Sequence, residues 1–198
     1  NELARLASLN DLQILNTEEE LKYDNIAQLA SFICDVPVSL ITLLTEDKQW
    51  FKAKVGTELT DTDRSISFCS HAILQPDKMM EISDTELDIR FNGNPIIVVD
   101  APIRFYAGMP IKSPNGEALG TLCVLDNKPH SLSDKQKDAL KALAKQVETL
   151  FELRRQNIAL EKVKKELGTK NNLLKEFAGT VSHDMKMPLA NMIITADL

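Results

Sequence analysis

The chain has 198 residues, with 23 Lys and Arg against 29 Asp and Glu and a formal net charge of −6. That balance excludes nonspecific nucleic-acid binding, which draws on a basic surface, and no apolar run approaches the roughly 20 residues needed to cross a bilayer. With 43% hydrophobic and 26% charged residues, the composition fits one folded domain with additional helix, or two small domains.

The longest apolar runs, around Val36–Leu44 and Ile96–Val99, are strand-length. The start carries no signal-peptide pattern. It also lacks Met, and the end at Leu198 lies inside an apolar helical pattern, so the chain reads as a piece of something longer. The three cysteines, Cys34, Cys69 and Cys123, are far apart in sequence. They form no CxxC spacing and no Cys/His cluster of the kind that binds zinc, so no metal site is expected. Free buried thiols and a reducing, cytoplasmic location are expected instead.

In chain order, Asn1–Leu15 reads as a lead-in helix. Thr17 followed by Glu18, Glu19 and Glu20 offers an N-cap and first-turn acids for a second helix. Its apolar stripe is Leu21, Ile26, Leu29, Ala30 and Ile33, and it should end near Asp35, before Pro37. Val38–Thr45 is β-rich and reads as a central strand, with Gln49–Val55 as its hairpin partner across a Glu46-Asp47-Lys48 turn. Asp61–Gln75 suggests a short helix after a loop, Met79–Ile82 a short strand, and Asp84–Asn94 a polar loop or short helix. Ile96–Val99 fits a strand or a buried lead-in equally. Ile103–Ile111 and Ala118–Asp126 flank Ser113-Pro114-Asn115-Gly116, a strong hairpin signal. Hairpins require antiparallel pairing, so the expected class is α+β, one antiparallel sheet with flanking helices, over residues 1–150.

Ser133 is a good N-cap for a helix with no proline until Pro188. Leu153, Leu160, Leu167, Leu174 and Val181 recur every seven residues. Val163 and Phe177 supply the second apolar position in two heptads, and Gln156 and Lys170 occupy it in the others. This is a coiled-coil pattern with an imperfect seam, predicting a parallel homodimer through a signalling helix over 151–176. Gly168 to Asn172 is poor helix material, Gly alone costing about 1 kcal/mol against Ala, and reads either as a frayed spot or as a weak point where register can change.

Residues 177–198 carry the strongest chemical signal. His183 stands beside Asp184, with Lys186 three positions on and Pro188 five positions on. Proline removes a hydrogen bond to Asp184 and clashes with its carbonyl, which predicts a bend just after the His–Asp pair. A neutral imidazole is a competent nucleophile, and Asp184 can hold its other N–H or accept its proton. The run S-H-D-x-K-x-P-L from Ser182 to Leu189, with Phe177 upstream, resembles the H box that opens the HisKA domain of sensor histidine kinases. The resemblance implies that His183 is the phosphoacceptor, taking a phosphoryl group from ATP and passing it to an aspartate of a response regulator, with Asp184 assisting. Met187 departs from the Thr or Asn frequent in the family, so weak or absent regulator-phosphatase activity is expected. No Gly-rich nucleotide loop is present; ATP and Mg are implied for a catalytic domain, and the 198 residues alone are expected not to autophosphorylate.

Residues 1–150 resemble a GAF domain of the kind that precedes bacterial kinases and cyclases. The resemblance rests on Trp50-Phe51-Lys52-Ala53, Phe68-Cys69-Ser70-His71-Ala72-Ile73, Asp88-Ile89-Arg90-Phe91, Ile103 to Gly108, and Gly120 to Val124. It implies a sensory fold with a pocket on one sheet face and a small-molecule ligand as a possibility. Cys69, His71, Arg90, Arg104 and Tyr106 are the candidate ligand-binding residues. Bilin attachment in the family uses a Cys directly before a His, whereas Ser70 stands between Cys69 and His71. Arg104 and Tyr106 share one side of a strand and, with Arg90, would suit an anion; the plainer reading pairs Arg90 and Arg104 with acids such as Asp88 and Asp100. Gly108 and Gly120 are expected to serve backbone geometry. Two other classes stand beside the sensor: a ligand-free dimerisation scaffold, and a redox enzyme of the methionine sulfoxide reductase kind, for which the sequence offers no evident cysteine pair.

Overall fold

The computed structural model of the chain describes residues 1–91, 93–95 and 102–196, with side chains described as far as Val181. The elements are α1 (Glu2–Asp11), α2 (Leu21–Cys34), β1 (Val38–Leu44), β2 (Lys48–Val55), β3 (Asp61–Asp63), α3 (Phe68–Ala72), β4 (Met80–Ile82), β5 (Phe105–Lys112), β6 (Ala118–Asp126) and α4 (Asp134–Ala196), with short 3-10 turns at Arg64–Ile66, Thr85–Leu87 and Ile89–Phe91. Among the described residues the strands form one six-stranded sheet in the order β3-β2-β1-β6-β5-β4. Every pairing is antiparallel. The α+β class expected from the hairpin signals is the class observed. Ile96–Val99 and Asp100 lie outside the described residues.

Strand alternation divides the interior in two. Ile41, Leu43, Phe105, Ala107, Leu122 and Val124 face α1, α2 and the first turns of α4, where Leu140, Ala144, Val147 and Phe151 close the core. Leu40, Leu44, Tyr106, Cys123 and Leu125 face the other way, under Phe68, Cys69, Ala72, Ile73 and Phe91. The β5–β6 turn forms at Ser113–Gly116 as the Pro-Asn-Gly signal requires: the Ser113 carbonyl accepts from Gly116 N at 2.9 Å, and Gly116 sits at φ +94°, a backbone state favouring glycine. Ser133 caps α4 reciprocally: its amide donates to Gln136 Oε1 at 2.9 Å and its Oγ accepts from Gln136 N at 3.4 Å, a capping box.

Local readings differ from the structure in instructive ways. Thr17 does not cap α2; its hydroxyl donates to the Ile14 carbonyl and accepts from Lys52 Nζ. The helix starts at Leu21 with Glu20 in the cap position. The buried stripe of α2 is Tyr23, Ile26, Ala27, Ala30 and Cys34, while Leu21 and Phe32 are exposed. Small Ala27 and Ala30 let the helix lie close on the sheet. The first residues of Asp61–Gln75 pair as β3 on β2, through Lys48↔Asp63 and Trp50↔Asp61, leaving a five-residue α3.

The chain divides into two units, Asn1–Arg155 and Gln156–Leu198. The second is helix: the backbone of α4 is helical without interruption through Gly168 and Pro188 to Ala196. Its heptad residues are solvent-exposed, with Leu160 and Leu167 each at 62% and Phe177 at 68%. No helix among the described residues is long and apolar enough to cross a membrane.

Candidate functional site

The α3 face of the sheet carries polar groups inside an apolar shell. Cys69 enters from α3, Tyr106 from β5, Thr121 and Cys123 from β6, and Thr42 from β1. The ladder sets their positions: Thr42 lies opposite Thr121, and Gly108 opposite Cys123. All five side chains belong to buried residues. Cys69 Sγ lies 3.9 Å from Cys123 Sγ. Thr121 Oγ1 donates to Cys69 Sγ at 3.0 Å and Tyr106 Oη at 3.4 Å, while the Thr42 and Thr121 hydroxyls are 3.1 Å apart. Gly108 makes this arrangement possible, because a Cβ there would collide with the Tyr106 hydroxyl. Gly120 likewise permits the close approach of the Thr42 carbonyl. Both glycines therefore provide clearance.

These contacts set the order in which the groups ionise. Burial pushes the Cys69 thiol up, and hydrogen bonds from Cys123, Thr121, Thr42 and Tyr106 outweigh it, leaving it lowered to about 7. Burial, followed by the neighbouring Cys69, raises Cys123 well above the ordinary thiol value. Tyr106 rises for the same reasons. Cys34 has no such surroundings, and burial alone pushes it up to about 11.

The other candidate residues lie elsewhere. His71 and Arg90 line a small cavity of about 220 Å³ together with Gln75, Lys78, Met80 and Glu81. The His71 ring meets Phe91 edge-on, with centroids 4.9 Å apart. Arg90 grips Asp88 through Nε at 2.9 Å and Nη2 at 2.6 Å, and this hydrogen-bonded guanidinium holds the Asp88 carboxyl below its usual range. Arg104 forms a two-pronged pair with Asp84, at 3.0 and 2.8 Å, and a further contact with Glu86 at 3.1 Å. The pairing expected for Arg90 is the one observed, and Arg104 uses Asp84 and Glu86. Both guanidiniums already hold carboxylates. Cys69 and Tyr106 thus meet in one cluster, His71 and Arg90 in another, and Arg104 stands apart from Tyr106 in its surroundings. The side chains of His183, Asp184 and Met187 lie outside the described residues.

Sequence reasoning named Cys69 and Tyr106 but missed Cys123, Thr121 and Thr42 as their partners. The signal was present in parity. Once the Ser113–Gly116 turn fixes the β5–β6 register, Gly108 falls opposite Cys123, and Tyr106, Thr121 and Cys123 share a face.

Another buried polar group joins the sheet to the helices. Lys52, on β2, has a fully buried side chain, and its Nζ lies 2.8 Å from Glu20 Oε1. It also donates to Thr17 Oγ1 at 2.8 Å and to the Glu18 carbonyl at 2.7 Å. Arg154 of α4 reaches the same Glu20 oxygen at 3.2 Å and donates to the Leu12 and Gln13 carbonyls, each at 2.7 Å. Burial pushes the Glu20 carboxyl up, but Lys22 and Lys52 outweigh it and lower it to about 2.

Residues 18–150 match the GAF domain family. The chain is 36% identical over 129 residues, 65% of its length, to the cyclic di-GMP phosphodiesterase PA2567 of Pseudomonas aeruginosa. It spans only 22% of that relative. Among solved structures, it resembles a domain assigned to a two-component sensor histidine kinase of Sinorhizobium meliloti 1021 at a TM-score of 0.56 and 17% identity, covering 74% of this chain and 99% of that one. It also resembles the free methionine-R-sulfoxide reductase of Neisseria meningitidis at a TM-score of 0.57 and 17% identity, covering 76% and 89%. At such identities the likeness concerns the fold alone.

Proposed function

Because the chain belongs to the GAF domain family, a sensory fold, we propose that it is the sensory and signal-transmitting region of a two-component histidine kinase. In this reading His183 is the phosphoacceptor, and its phosphoryl group passes to an aspartate of a response regulator. The observation that carries the reading is the run Ser182–Leu189, with Phe177 upstream, on a continuous helix whose seven-residue apolar repeat faces solvent. Two copies of this helix, paired in parallel, would bury Leu153, Leu160, Leu167, Leu174 and Val181 against their counterparts.

The chemistry assigned to the chain's own residues is limited. The His183 imidazole would supply a lone pair to the γ-phosphorus of ATP as the bond from that phosphorus to the bridging oxygen breaks and ADP leaves, while Asp184 takes or holds the proton on the opposite ring nitrogen. ATP and Mg²⁺ belong to a nucleotide-binding half, since the sequence holds no Gly-rich phosphate loop. The identity to a phosphodiesterase concerns 129 residues and only 22% of that relative, so it supports shared sensing more than shared output. The cavity at His71 and Arg90, about 220 Å³, is below the roughly 300 Å³ at which small-molecule pockets usually begin. A ligand there would be small.

The test joins this chain to a histidine-kinase ATP-binding half and supplies labelled ATP. Acid-labile label on the unmodified protein, lost in His183→Gln, is the expected result. Equal labelling of His183→Gln would overturn the assignment.

A further inference from the structure

We propose that Cys69 and Cys123 form a redox-active dithiol, which a small hydroperoxide converts to a disulfide linking α3 to β6. The two sulfurs are 3.9 Å apart and both are free thiols. A disulfide needs about 2.05 Å, so the sulfurs must close by roughly 2 Å. The two residues lie 54 apart in sequence, and the fold alone brings them together.

The surroundings divide the roles. Two hydroxyls, Thr121 Oγ1 and Tyr106 Oη, donate to Cys69 Sγ. They stabilise charge on that sulfur and make it the nucleophile. Cys123, held as the neutral thiol by burial and the neighbouring Cys69, is the resolving thiol. Cys69 sulfur attacks the terminal peroxide oxygen, an S–O bond forms, and the O–O bond breaks. The departing oxygen takes the proton released by Cys69 and leaves as water. Cys123 sulfur then attacks the sulfenic sulfur of Cys69, the S–S bond forms and the S–O bond breaks. The second oxygen leaves as water with the Cys123 proton. Two thiols and one hydrogen peroxide thus give one disulfide and two waters.

Burial shapes the chemistry. Cys69 is 2% exposed and Cys123 is fully enclosed, so only an oxidant close to water in size can reach them, and larger thiol reagents are excluded. The same enclosure places the resolving thiol beside the sulfenic acid, which favours the disulfide over further oxidation. Cys34, buried on α2, serves as an internal control.

The test treats the folded chain with hydrogen peroxide, quenches, unfolds it in an alkylating reagent and maps the peptides. The expected product carries a reductant-reversible Cys69–Cys123 link, two hydrogens lighter than the dithiol, and an alkylated Cys34, the mark of a thiol still free at the quench. Tyr106→Phe should slow link formation about tenfold near neutrality, from the loss of one hydrogen bond to a charged sulfur. It should also move the pH midpoint of the rate upward, which a purely structural role would not do. Cys123→Ser should instead leave a sulfenic acid on Cys69, which dimedone captures once the oxidised chain is unfolded in its presence. The proposal is overturned if peroxide oxidises Cys34 as readily, if Cys69 ends as sulfinic acid without a link, or if the link forms only after denaturant is added.

Discussion

Residues 1–155 and residues 156–181 handle their apolar side chains in opposite ways. The first unit folds most of them inward on both faces of a sheet and leaves scattered single positions, such as Leu3, Leu21, Phe32 and Ile89, in solvent. The second exposes nearly all of them: Leu160, Val163, Leu167, Leu174 and Phe177 each show half or more of their surface. A regular stripe of that kind on a single helix has no internal solution, because the helix has no other face on which to bury it. The contrast separates a part with its own core from a part whose repeat suits the proposed pairing with a second copy.

The contrast can be broken most forcefully at the seam. Under the proposed pairing, replacing Leu160 and Leu167 together with Asp removes two contacts worth at least about 1.5 kcal/mol each, so dimer dissociation should rise on the order of 100-fold. The domain should keep its thermal midpoint. Analytical ultracentrifugation and calorimetry on the same samples separate the two outcomes; a large drop in the midpoint would show that the stripe packs on the domain.

A second effect belongs to the first unit alone. Glu20→Gln leaves the fully buried Lys52 ammonium without its carboxylate and should cost about 3 kcal/mol in urea unfolding. The pH dependence has a defined sign. The Glu20 carboxyl is lowered from 4.5 to about 2 in the folded state. Its contribution is therefore complete above pH 4.5 and disappears as pH falls through about 2. The variant should lose that part of the acid limb, and an unchanged acid profile would count against the Lys52–Glu20–Arg154 link.

Smaller changes sharpen the picture. Gly168→Ala should stabilise α4 by about 1 kcal/mol, since a Cβ there meets no neighbour; thermal loss of helix signal by circular dichroism measures it. Tyr23→Phe should shift unfolding by less than about 1 kcal/mol, toward greater stability, because the Tyr23 hydroxyl is buried without a hydrogen-bond partner. Loss of several kcal/mol would mean that its polar end is satisfied in solution.

The sequence carried the sheet well where two local rules agreed. Val38–Thr45 and Ala118–Asp126 combine β-branched residues with clear turn signals, and both are central strands. It carried α2 less well because Leu21, Leu29 and Ile33 are more hydrophobic than Ala27 and Ala30, yet it is the small residues that face the sheet. Thr17 and the three glutamates look like a helix start, but a tertiary demand, the buried Lys52 ammonium, takes both the Thr17 hydroxyl and the Glu20 carboxylate. The Cys69–Cys123 pair was hidden for a similar reason. Spacing along the chain says nothing of a helix laid over a strand 54 residues away; only register and face together place them. By contrast, the resemblance carried by the run from Ser182 to Leu189 is local, and no fold enters into it.

The most direct measurement is the mass of the unmodified chain by sedimentation equilibrium over a wide concentration range. The account predicts twice the 22.1 kDa of one chain, reverting to the single-chain mass when Leu160 and Leu167 are replaced by Asp. A single-chain mass for the unmodified protein at every concentration would contradict it.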